Sequence, residues 1–244
     1  MTFYADISAA YDDLFPVSPA QRSLLENLRE AGGVRSVVDC GCGTGSQLLP
    51  FAAAGADCLG FDPDPSLVAV ARRKLAAYPG ARVEEGAFAD LPRLAESPAD
   101  LLLCLGNSLV HVPAEDAARF LFDAAKALFP GGSILLQILN YERLFREGAT
   151  ELPLIRSADG SAELRRRYEW EGRRKVAFRT TLRLSTAEGP MIRRNEVPLY
   201  PLFPEELREM TSLAGFEDVR FFGDFARVPF SADSDAVVCL ARKA

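Results

Sequence analysis

The spacing of apolar residues follows two alternating patterns over the first 145 residues of the chain. Segments with an apolar residue every three or four positions, the spacing of an amphipathic helix, are separated by short continuous apolar runs. The segment 18–32 is a clear helical case, because Ser18 suits the N-cap, Pro19 the first helical position and a glycine pair the end. Such alternation is typical of a parallel sheet with helices on both faces.

Short apolar runs predict the strands of this sheet at Val34–Cys40, Asp57–Phe61, Arg82–Glu85, Asp100–Leu105 and 130–139. The helices predicted between them are Ser46–Ala54, Pro65–Ala77 and Glu115–Phe129. The run "DLLLCL" does not alternate with polar residues, so we expect a central strand that is covered on both faces.

From about Asn140 the pattern changes to period two, in β-branched and aromatic stretches separated by Glu171-Gly172 and Glu188-Gly189. This pattern predicts a three-stranded antiparallel insert. A helix, "FPEELREMTSLAGF", and two strands, "VRFFGDF" and "AVVCLARKA", follow it. Together the elements predict an α/β fold with a mostly parallel, seven-stranded sheet. The predicted division is a core with an N-terminal lid at 1–145, the insert at 146–200 and the remainder of the core at 201–244.

Composition places the chain among soluble globular enzymes, because 48% of the residues are hydrophobic and 25% are charged. Residues 1–20 contain no continuous apolar stretch, so we expect neither a signal peptide nor a membrane-spanning helix. The five cysteines are odd in number and scattered, which favours free thiols in a reducing compartment. The predicted location is the cytoplasm.

The net charge of −6 argues against a domain that binds nucleic acid by neutralising phosphates. A small-molecule partner is favoured instead. A metal site is not predicted, because the close pair Cys40 and Cys42 has no second pair to complete it and His111 is the single histidine.

The segment "VVDCGCGTGS" at Val37–Ser46 joins the first strand to the next helix, where an open parallel sheet binds ligands. Its glycines Gly41, Gly43 and Gly45 give D-x-G-x-G-x-G rather than the G-x-G-x-x-G of dinucleotide-binding proteins. Glycine there lets backbone and ligand approach closely. The carboxylate of Asp39 would repel a pyrophosphate and hold a cationic group, so a cationic ligand is favoured.

This segment resembles the first motif of the class I S-adenosylmethionine-dependent methyltransferases, whose cofactor carries an ammonium and a sulfonium group. The resemblance implies a Rossmann-like fold, S-adenosylmethionine as cofactor and S-adenosylhomocysteine as product. It also implies that the cofactor is bound by Asp39, Gly41, Cys42, Gly43 and Gly45.

Asp62 ends the second predicted strand, where an acid accepts hydrogen bonds from both ribose hydroxyls. Pro63 would then lie against the adenine. In the alternative interpretation Asp62 only caps the helix that begins at Pro65, a role that Asp64 or Ser66 could fill instead.

The segment "VEEGAFADLP" resembles the third motif of the family, in which an acid meets the adenine amino group. Ala87 stands at that acid's place, so the resemblance leaves the amide and ring of Phe88 as the adenine contacts and Asp90 as a helper. The alternative for Phe88 is an ordinary core aromatic.

Two further segments, "GNSLVH" and "AYDDLFP", resemble glycine N-methyltransferase and related small-molecule N-methyltransferases. The resemblance implies that Leu105 and Gly106 contact the methionine end of the cofactor, that Asn107 orients the acceptor and that Tyr11 closes over the cofactor. The alternatives are a turn residue for Asn107 and a surface aromatic for Tyr11. Leu139 stands where the group has a carboxylate-binding arginine, which argues against glycine as the acceptor.

The implied reaction is in-line displacement of a methyl group, with an N-acceptor favoured over an O-acceptor. A hydroxyl acceptor needs a base, and His111 is the imidazole available for that role. The alternative is that His111 only bonds a loop carbonyl. Two other functions stay open: a non-catalytic module that binds the cofactor, and a protein or nucleic-acid methyltransferase, which the missing D/N-P-P-Y motif and the net charge disfavour.

The insert is expected to select the acceptor, because additions to a fixed sheet usually carry specificity. Its basic clusters at 165–167, 173–175 and 193–194 indicate either a solvated strand face or an acidic acceptor. Its aromatic residues would form a wall over the site, a sheet core or a homodimer contact; they are Tyr168, Trp170, Phe178 and Tyr200.

Overall fold

A computed structural model describes residues 7–8, 10–186 and 189–244. The helices are α1 (Tyr11–Leu14), α2 (Pro19–Gly32), α3 (Leu49–Ala52), α4 (Pro65–Leu75), α5 (Leu91–Leu94), α6 (Ala114–Lys126), α7 (Tyr141–Arg146) and α8 (Pro204–Leu213). Short 3₁₀ turns span Phe88–Asp90 and Ser108–His111. The strands are β1 (Ser36–Cys40), β2 (Asp57–Asp62), β3 (Ala81–Glu85), β4 (Ala99–Cys104), β5 (Leu128–Leu139), β6 (Glu151–Arg156), β7 (Ala162–Trp170), β8 (Val176–Thr186), β9 (Gly189–Leu199), β10 (Phe216–Phe222) and β11 (Ala236–Lys243).

The larger sheet has seven strands in the order β10-β11-β5-β4-β1-β2-β3. Strands β1 to β5 pair in parallel, whereas β11 and β10 add antiparallel strands at one edge. Strand β4 lies between β1 and β5, and the side chains of Leu101, Leu102 and Leu103 are buried. The predicted α/β class and the central position of this strand are confirmed.

The predicted helices form with shifted ends. Ser18 caps α2 by accepting the backbone N–H of Gln21 at 3.1 Å. The helix predicted at Ser46–Ala54 is wrong in extent, since only Leu49–Ala52 is α-helical. The residues before it remain in the turn that leaves Gly45, and the N–H of Leu48 bonds the Gly45 carbonyl at 3.1 Å.

The insert is a separate antiparallel sheet of four strands, β6-β7-β8-β9, instead of the three that the sequence predicts. The additional strand is β6, which has a register shift between Leu152 and Ile155 and carries Pro153 inside it. A bulge and a proline interrupt the period-two pattern, so the sequence signal for this strand is weak. The predicted break at Glu188 lies outside the described residues.

Buried side chains tie the insert to the rest of the molecule in two places. Tyr168 and Val176 of the insert belong to the main core beside β5 and α6. Leu164 and Leu182 form a smaller cluster with Leu14 of α1, so the N-terminal segment packs on the insert sheet. Among the described helices, none has the length and apolarity to cross a membrane.

Candidate functional site

A cavity of about 240 Å³ opens where β1, β2 and β4 end. Its lining consists of Tyr11, Gly41, Phe61, Asp62, Pro63, Leu67, Gly86, Ala87, Phe88, Gly106, Ser108, His111 and Val112. A smaller cavity of about 30 Å³ shares Tyr11, Gly41, Gly106 and Ser108 and also touches Cys42, Gly43 and Leu105. The structure thus brings most of the residues predicted from the motifs to one place.

The loop after β1 contains glycines, which have no side chain, at positions that other groups approach closely. Gly41 and Gly43 both have positive φ, at 77° and 54°. A Cβ on Gly41 would lie 3.0 Å from the side chain of Ser108, and one on Gly43 would lie 3.5 Å from the ring of Tyr11. A side chain would therefore crowd Ser108 at position 41, contact Tyr11 at position 43 and strain the backbone at both.

Gly45 has a different surrounding. A Cβ there would lie 3.1 Å from Leu75 and 3.2 Å from Ala71, both on α4. The residue also has a φ of 76° and does not line either cavity. Gly45 thus allows α4 to pack against the loop, and its predicted contact with a ligand stays a prediction.

Asp62 lines the cavity and is only 8% exposed. Its carboxylate accepts the backbone N–H of Gly43 at 3.0 Å and that of Asp64 at 2.9 Å. Asp64 caps α4 by accepting the N–H groups of Ser66 and Leu67, so the alternative that Asp62 is only the cap is wrong. Burial raises the pKa of Asp62, although the two backbone hydrogen bonds oppose this shift. Each oxygen keeps a lone pair for a hydroxyl donor.

Asp39 lies at the end of β1 and is 1% exposed, so it does not line either cavity. Its Oδ2 has no hydrogen-bond partner among the described residues. Burial, and then the charge of Asp62, raise the pKa of the Asp39 carboxyl to about 8. A cation placed near this group would stabilise the ionised form.

The apolar residues that line the cavity include Pro63 and Phe88. The ring of Phe88 lies 4.6 Å from that of Phe120, so Phe88 is both a core aromatic and a wall of the cavity. Asp90 accepts the N–H of Ala87 at 2.9 Å and pairs with Arg93 at 3.1 Å. Its carboxylate thus stabilises the turn that presents Ala87 and Phe88.

Asn107 follows the segment that lines the cavity and adopts a left-handed φ of 67°. Its Oδ1 accepts the N–H of Leu139 at 2.9 Å, and its Nδ2 donates to the hydroxyl of Tyr141 at 2.8 Å. The side chain thus holds the loop after β4 against β5 and α7. A direct contact of Asn107 with an acceptor stays a prediction.

His111 lines the cavity at its exposed rim. Its Nδ1 lies 3.2 Å from the carbonyl oxygen of Ser108. We assign the proton to Nδ1 because a carbonyl can only accept, which leaves the Nε2 lone pair as a proton acceptor. Desolvation by the surrounding atoms lowers the pKa of His111, although backbone hydrogen bonds oppose this shift. The carbonyl contact and a role as base are therefore compatible.

Tyr11 reaches both cavities from α1, and its ring lies 5.1 Å from that of Phe15. The next residue, Asp12, accepts hydrogen bonds from Thr44 at 2.5 Å and Ser46 at 2.9 Å. Lys74 of α4 pairs with Asp12 at 2.6 Å. Sequence analysis missed this network, although an acid beside Tyr11 and two hydroxyls in the glycine loop were its available signals.

The exposed basic residues of the insert are largely paired. Arg165 and Arg167 lie 3.3 Å from Glu163 and Glu151, and Lys175 lies 2.7 Å from Glu171. A groove of about 690 Å³ is lined by residues of this sheet alone. The charges of Arg165, Arg167 and Lys175 are therefore locally balanced, as on a solvated strand face.

The aromatic residues of the insert lie mainly in a packed core. The ring of Tyr168 lies 5.4 Å from Phe178 and 6.1 Å from both Trp170 and Tyr141. Tyr200 donates its backbone N–H to the carbonyl of Val110 at 2.7 Å. Of the alternatives for these residues, the structure supports the sheet core.

The sequence of this chain is similar to those of known methyltransferases. A family profile described as a methyltransferase domain matches residues 37–132. The glycine/sarcosine N-methyltransferase of Parasynechococcus marenigrum is 26% identical over 210 residues, which are 85% of this chain and 72% of that protein. The ubiquinone biosynthesis O-methyltransferase of Idiomarina loihiensis is 31% identical over 137 residues, 55% of each chain.

The fold itself also has a close counterpart among solved structures. The CcbJ methyltransferase of Streptomyces caelestis superimposes with a TM-score of 0.81 at 25% identity. The superposition covers 100% of this chain and 98% of the other. The insert and the core therefore occur together in a methyltransferase of known structure.

Proposed function

We propose that this chain, which belongs to the class I S-adenosylmethionine-dependent methyltransferases, methylates an amine nitrogen of a small-molecule acceptor. Bound S-adenosylmethionine supplies a sulfonium methyl group that a nucleophile takes in one in-line displacement. The family predicted from the glycine motif and its cofactor are confirmed.

The residues of the cavity, together with Asp39 near the end of β1, fit this cofactor. Asp62 has lone pairs free for two hydroxyls, the apolar lining at Phe88 suits a flat ring, and the unpartnered carboxyl of Asp39 suits a cation. We assign the cofactor site to Tyr11, Asp39, Gly41, Cys42, Gly43, Gly45, Asp62, Pro63, Ala87, Phe88, Leu105 and Gly106.

The choice of nitrogen over oxygen rests on how much of the chain each likeness spans. The O-methyltransferase likeness covers 55% of the chain, whereas the N-methyltransferase likeness covers 85%. The 15% left outside the latter is shorter than the insert at 151–199, so this likeness extends into the insert. The insert is the part expected to select the acceptor, which supports an amine.

The chain's own residues have three tasks in this reaction. Tyr11 covers the cavity, Asn107 holds the loop after β4, and Nε2 of His111 takes a proton from the acceptor nitrogen so that its lone pair is free. Alignment of the two reactants contributes up to about 7–11 kcal/mol. Little covalent machinery is needed beyond that.

We extend the proposal to the cellular setting and to the organisation of the chain. All five cysteines are free and buried, which supports the reducing cytoplasm. The division at 146 and 200 and a homodimer contact through the insert stay predictions.

Calorimetric titration tests the cofactor site first, with S-adenosylmethionine, S-adenosylhomocysteine and NAD as ligands. We expect the two sulfur compounds to bind, NAD not to bind, and Asp62→Ala to raise their Kd about 10- to 100-fold, because two charge-assisted hydrogen bonds are lost. Binding of NAD alone would contradict the proposal.

Methyl transfer is then measured on matched acceptors, sarcosine against glycolate and glucosamine against glucose. Formation of S-adenosylhomocysteine with an amine, but not with its hydroxyl partner, is the expected result. Transfer to hydroxyls alone would show an O-methyltransferase. Tight cofactor binding without any product across the panel would favour the non-catalytic module.

A further inference from the structure

One row of residues on the insert sheet differs from its neighbours. Arg166 pairs with Thr180, and Thr180 pairs with Asn195, so the three side chains lie on one face. Two positions away on the same face, the pair Leu164–Leu182 packs against α1. On the other side the pair Tyr168–Phe178 packs against the main core. We call Arg166, Thr180 and Asn195 the inner-face row, since it lies between these two contacts with the rest of the molecule.

Arg166 is partly buried and has no ion pair among the described residues. Its Nη2 donates to the carbonyl of Pro153 at 2.9 Å, while its Nε is buried without a partner. The adjacent Arg165 and Arg167 point to the opposite face and pair with glutamates. A guanidinium withdrawn from water without an anion is unfavourable. An anion bound beside Arg166 would therefore stabilise its charge.

Thr180 adds a second unmet donor to the same row. The residue is 3% exposed, and its Oγ1 has no hydrogen-bond partner among the described residues. A hydroxyl and a guanidinium side by side both donate hydrogen bonds, so an acceptor oxygen would satisfy both.

A chain of hydrogen-bonded groups begins beside the row and reaches the loop at the cavity. Tyr168 lies two positions from Arg166 on the same face, and its hydroxyl lies 3.4 Å from the hydroxyl of Tyr141. Tyr141 in turn accepts a hydrogen bond from Asn107 at 2.8 Å. Asn107 stands between Gly106 and Ser108, which both line the cavity. The row therefore lies beside a chain of hydrogen bonds that ends at the loop lining the cavity.

We propose that the methyl acceptor carries an anionic group, a carboxylate or a phosphate, and that Arg166 binds this group with the hydroxyl of Thr180. This inference rests on the proposed function, since it assigns a class of acceptor to the same site.

The first test measures anion binding without catalysis. Acetate and inorganic phosphate are titrated calorimetrically into the cofactor-bound protein and into its Arg166→Met, Thr180→Val and Arg194→Met variants. Arg194 is the control, because it is an exposed arginine on the opposite face of the same sheet. We expect at least one anion to bind, Arg166→Met to weaken it at least tenfold, Thr180→Val to weaken it severalfold and Arg194→Met to leave it unchanged.

Three results would overturn the inference: no anion binds, Arg166→Met binds like the wild type, or Arg194→Met loses binding equally. Cofactor affinity that matches the wild type shows that each variant is folded. This arm decides the inference even if no amine is methylated, in which case the proposed function alone fails.

The second test uses turnover. Sarcosine is compared with sarcosinamide, and glucosamine 6-phosphate with glucosamine, so the two pairs separate carboxylate from phosphate. The anionic member of one pair should have a kcat/KM at least tenfold higher, and Arg166→Met should remove this preference through KM. Arg166→Lys should restore part of it. Equal use of charged and neutral amines would overturn the inference.

Discussion

Two titratable residues near the cavity are held in their uncharged forms by desolvation, which shifts their pKa values in opposite directions. The ring of His111 stays neutral because its pKa is lowered by desolvation, and the carboxyl of Asp39 stays protonated to about pH 8 because it is buried. Only His111 lines the cavity. We therefore expect the titration of His111 to change the reaction rate, and the titration of Asp39 to change the stability of the fold.

Replacing His111 by Gln removes the proton acceptor and keeps a polar side chain of similar size. We expect kcat to fall about 10²- to 10⁴-fold, the usual contribution of a general base. The Kd of the cofactor should hardly change. In the wild type, kcat should stay constant above pH 6.5, the usual pKa of histidine, and decrease only at lower pH. The reason is that desolvation lowers the pKa of His111, so the ring is neutral above pH 6.5. Unchanged turnover of the true acceptor would exclude the base.

Asp39 should make the stability of the fold depend on pH. Its pKa is raised from 3.8 to about 8, so the folded state binds a proton that the unfolded state has lost. The free energy of unfolding should therefore decrease as pH rises from 4 to 8, by up to about 1.4 kcal/mol per unit. Asp39→Asn should remove this slope in urea unfolding experiments. A variant with the wild-type slope would contradict the burial argument.

Helix α1 is fixed to the glycine loop after β1 by one network of side chains. Lys74 of α4 bonds Asp12 at 2.6 Å, Ser46 at 2.7 Å and Thr44 at 3.0 Å. Burial raises the pKa of Asp12, but the hydrogen bonds from Lys74 and the two hydroxyls outweigh this and hold it below its usual value. The network links three elements and holds Tyr11, the neighbour of Asp12, over the cavity.

Loss of this network should loosen α1 rather than unfold the protein. We expect Lys74→Met to raise the Kd of S-adenosylmethionine about fivefold, which corresponds to about 1 kcal/mol for a partly exposed ion pair. The matched control is Arg73→Met on the same helix, whose side chain is exposed. Equal effects of both substitutions on calorimetric Kd would show that only net charge matters.

The insert and the large sheet share one hydrophobic core at the scale of the whole molecule. The main cluster contains Leu102 and Leu136 of the large sheet together with Tyr168, Val176 and Leu199 of the insert. Because these side chains pack against one another, unfolding of either sheet would expose the side chains of both to water. The molecule is therefore expected to unfold as one unit, although the chain forms two separate sheets.

Two spectroscopic signals can test this cooperativity. Trp170, the only tryptophan, lies in the insert, whereas the helices that dominate far-UV circular dichroism lie in the core. Their urea unfolding curves should coincide, and Tyr168→Ala should shift both equally, by about 3–5 kcal/mol for a lost buried aromatic. A change in Trp170 fluorescence at lower urea would show that the insert unfolds independently.

The sequence by itself determined the elements of the core and its cofactor class. Helical spacing, apolar runs and capping residues such as Ser18 act over a few neighbouring positions, so they can be read directly. The same holds for the glycines at Gly41 and Gly43 and for the acid at Asp62, which are fixed by a turn after one strand and the end of the next.

Only the tertiary structure decided the contacts between distant parts of the chain. The pair Lys74 and Asp12 is separated by 62 residues and the pair Asn107 and Tyr141 by 34. Strand β6 escaped prediction because a bulge and Pro153 interrupt its pattern. Among the described residues, Arg166 has no ion pair because Glu163 and Glu151 pair with Arg165 and Arg167. Such features arise from packing between elements. The spacing of residues along the sequence does not specify which distant residues will be in contact.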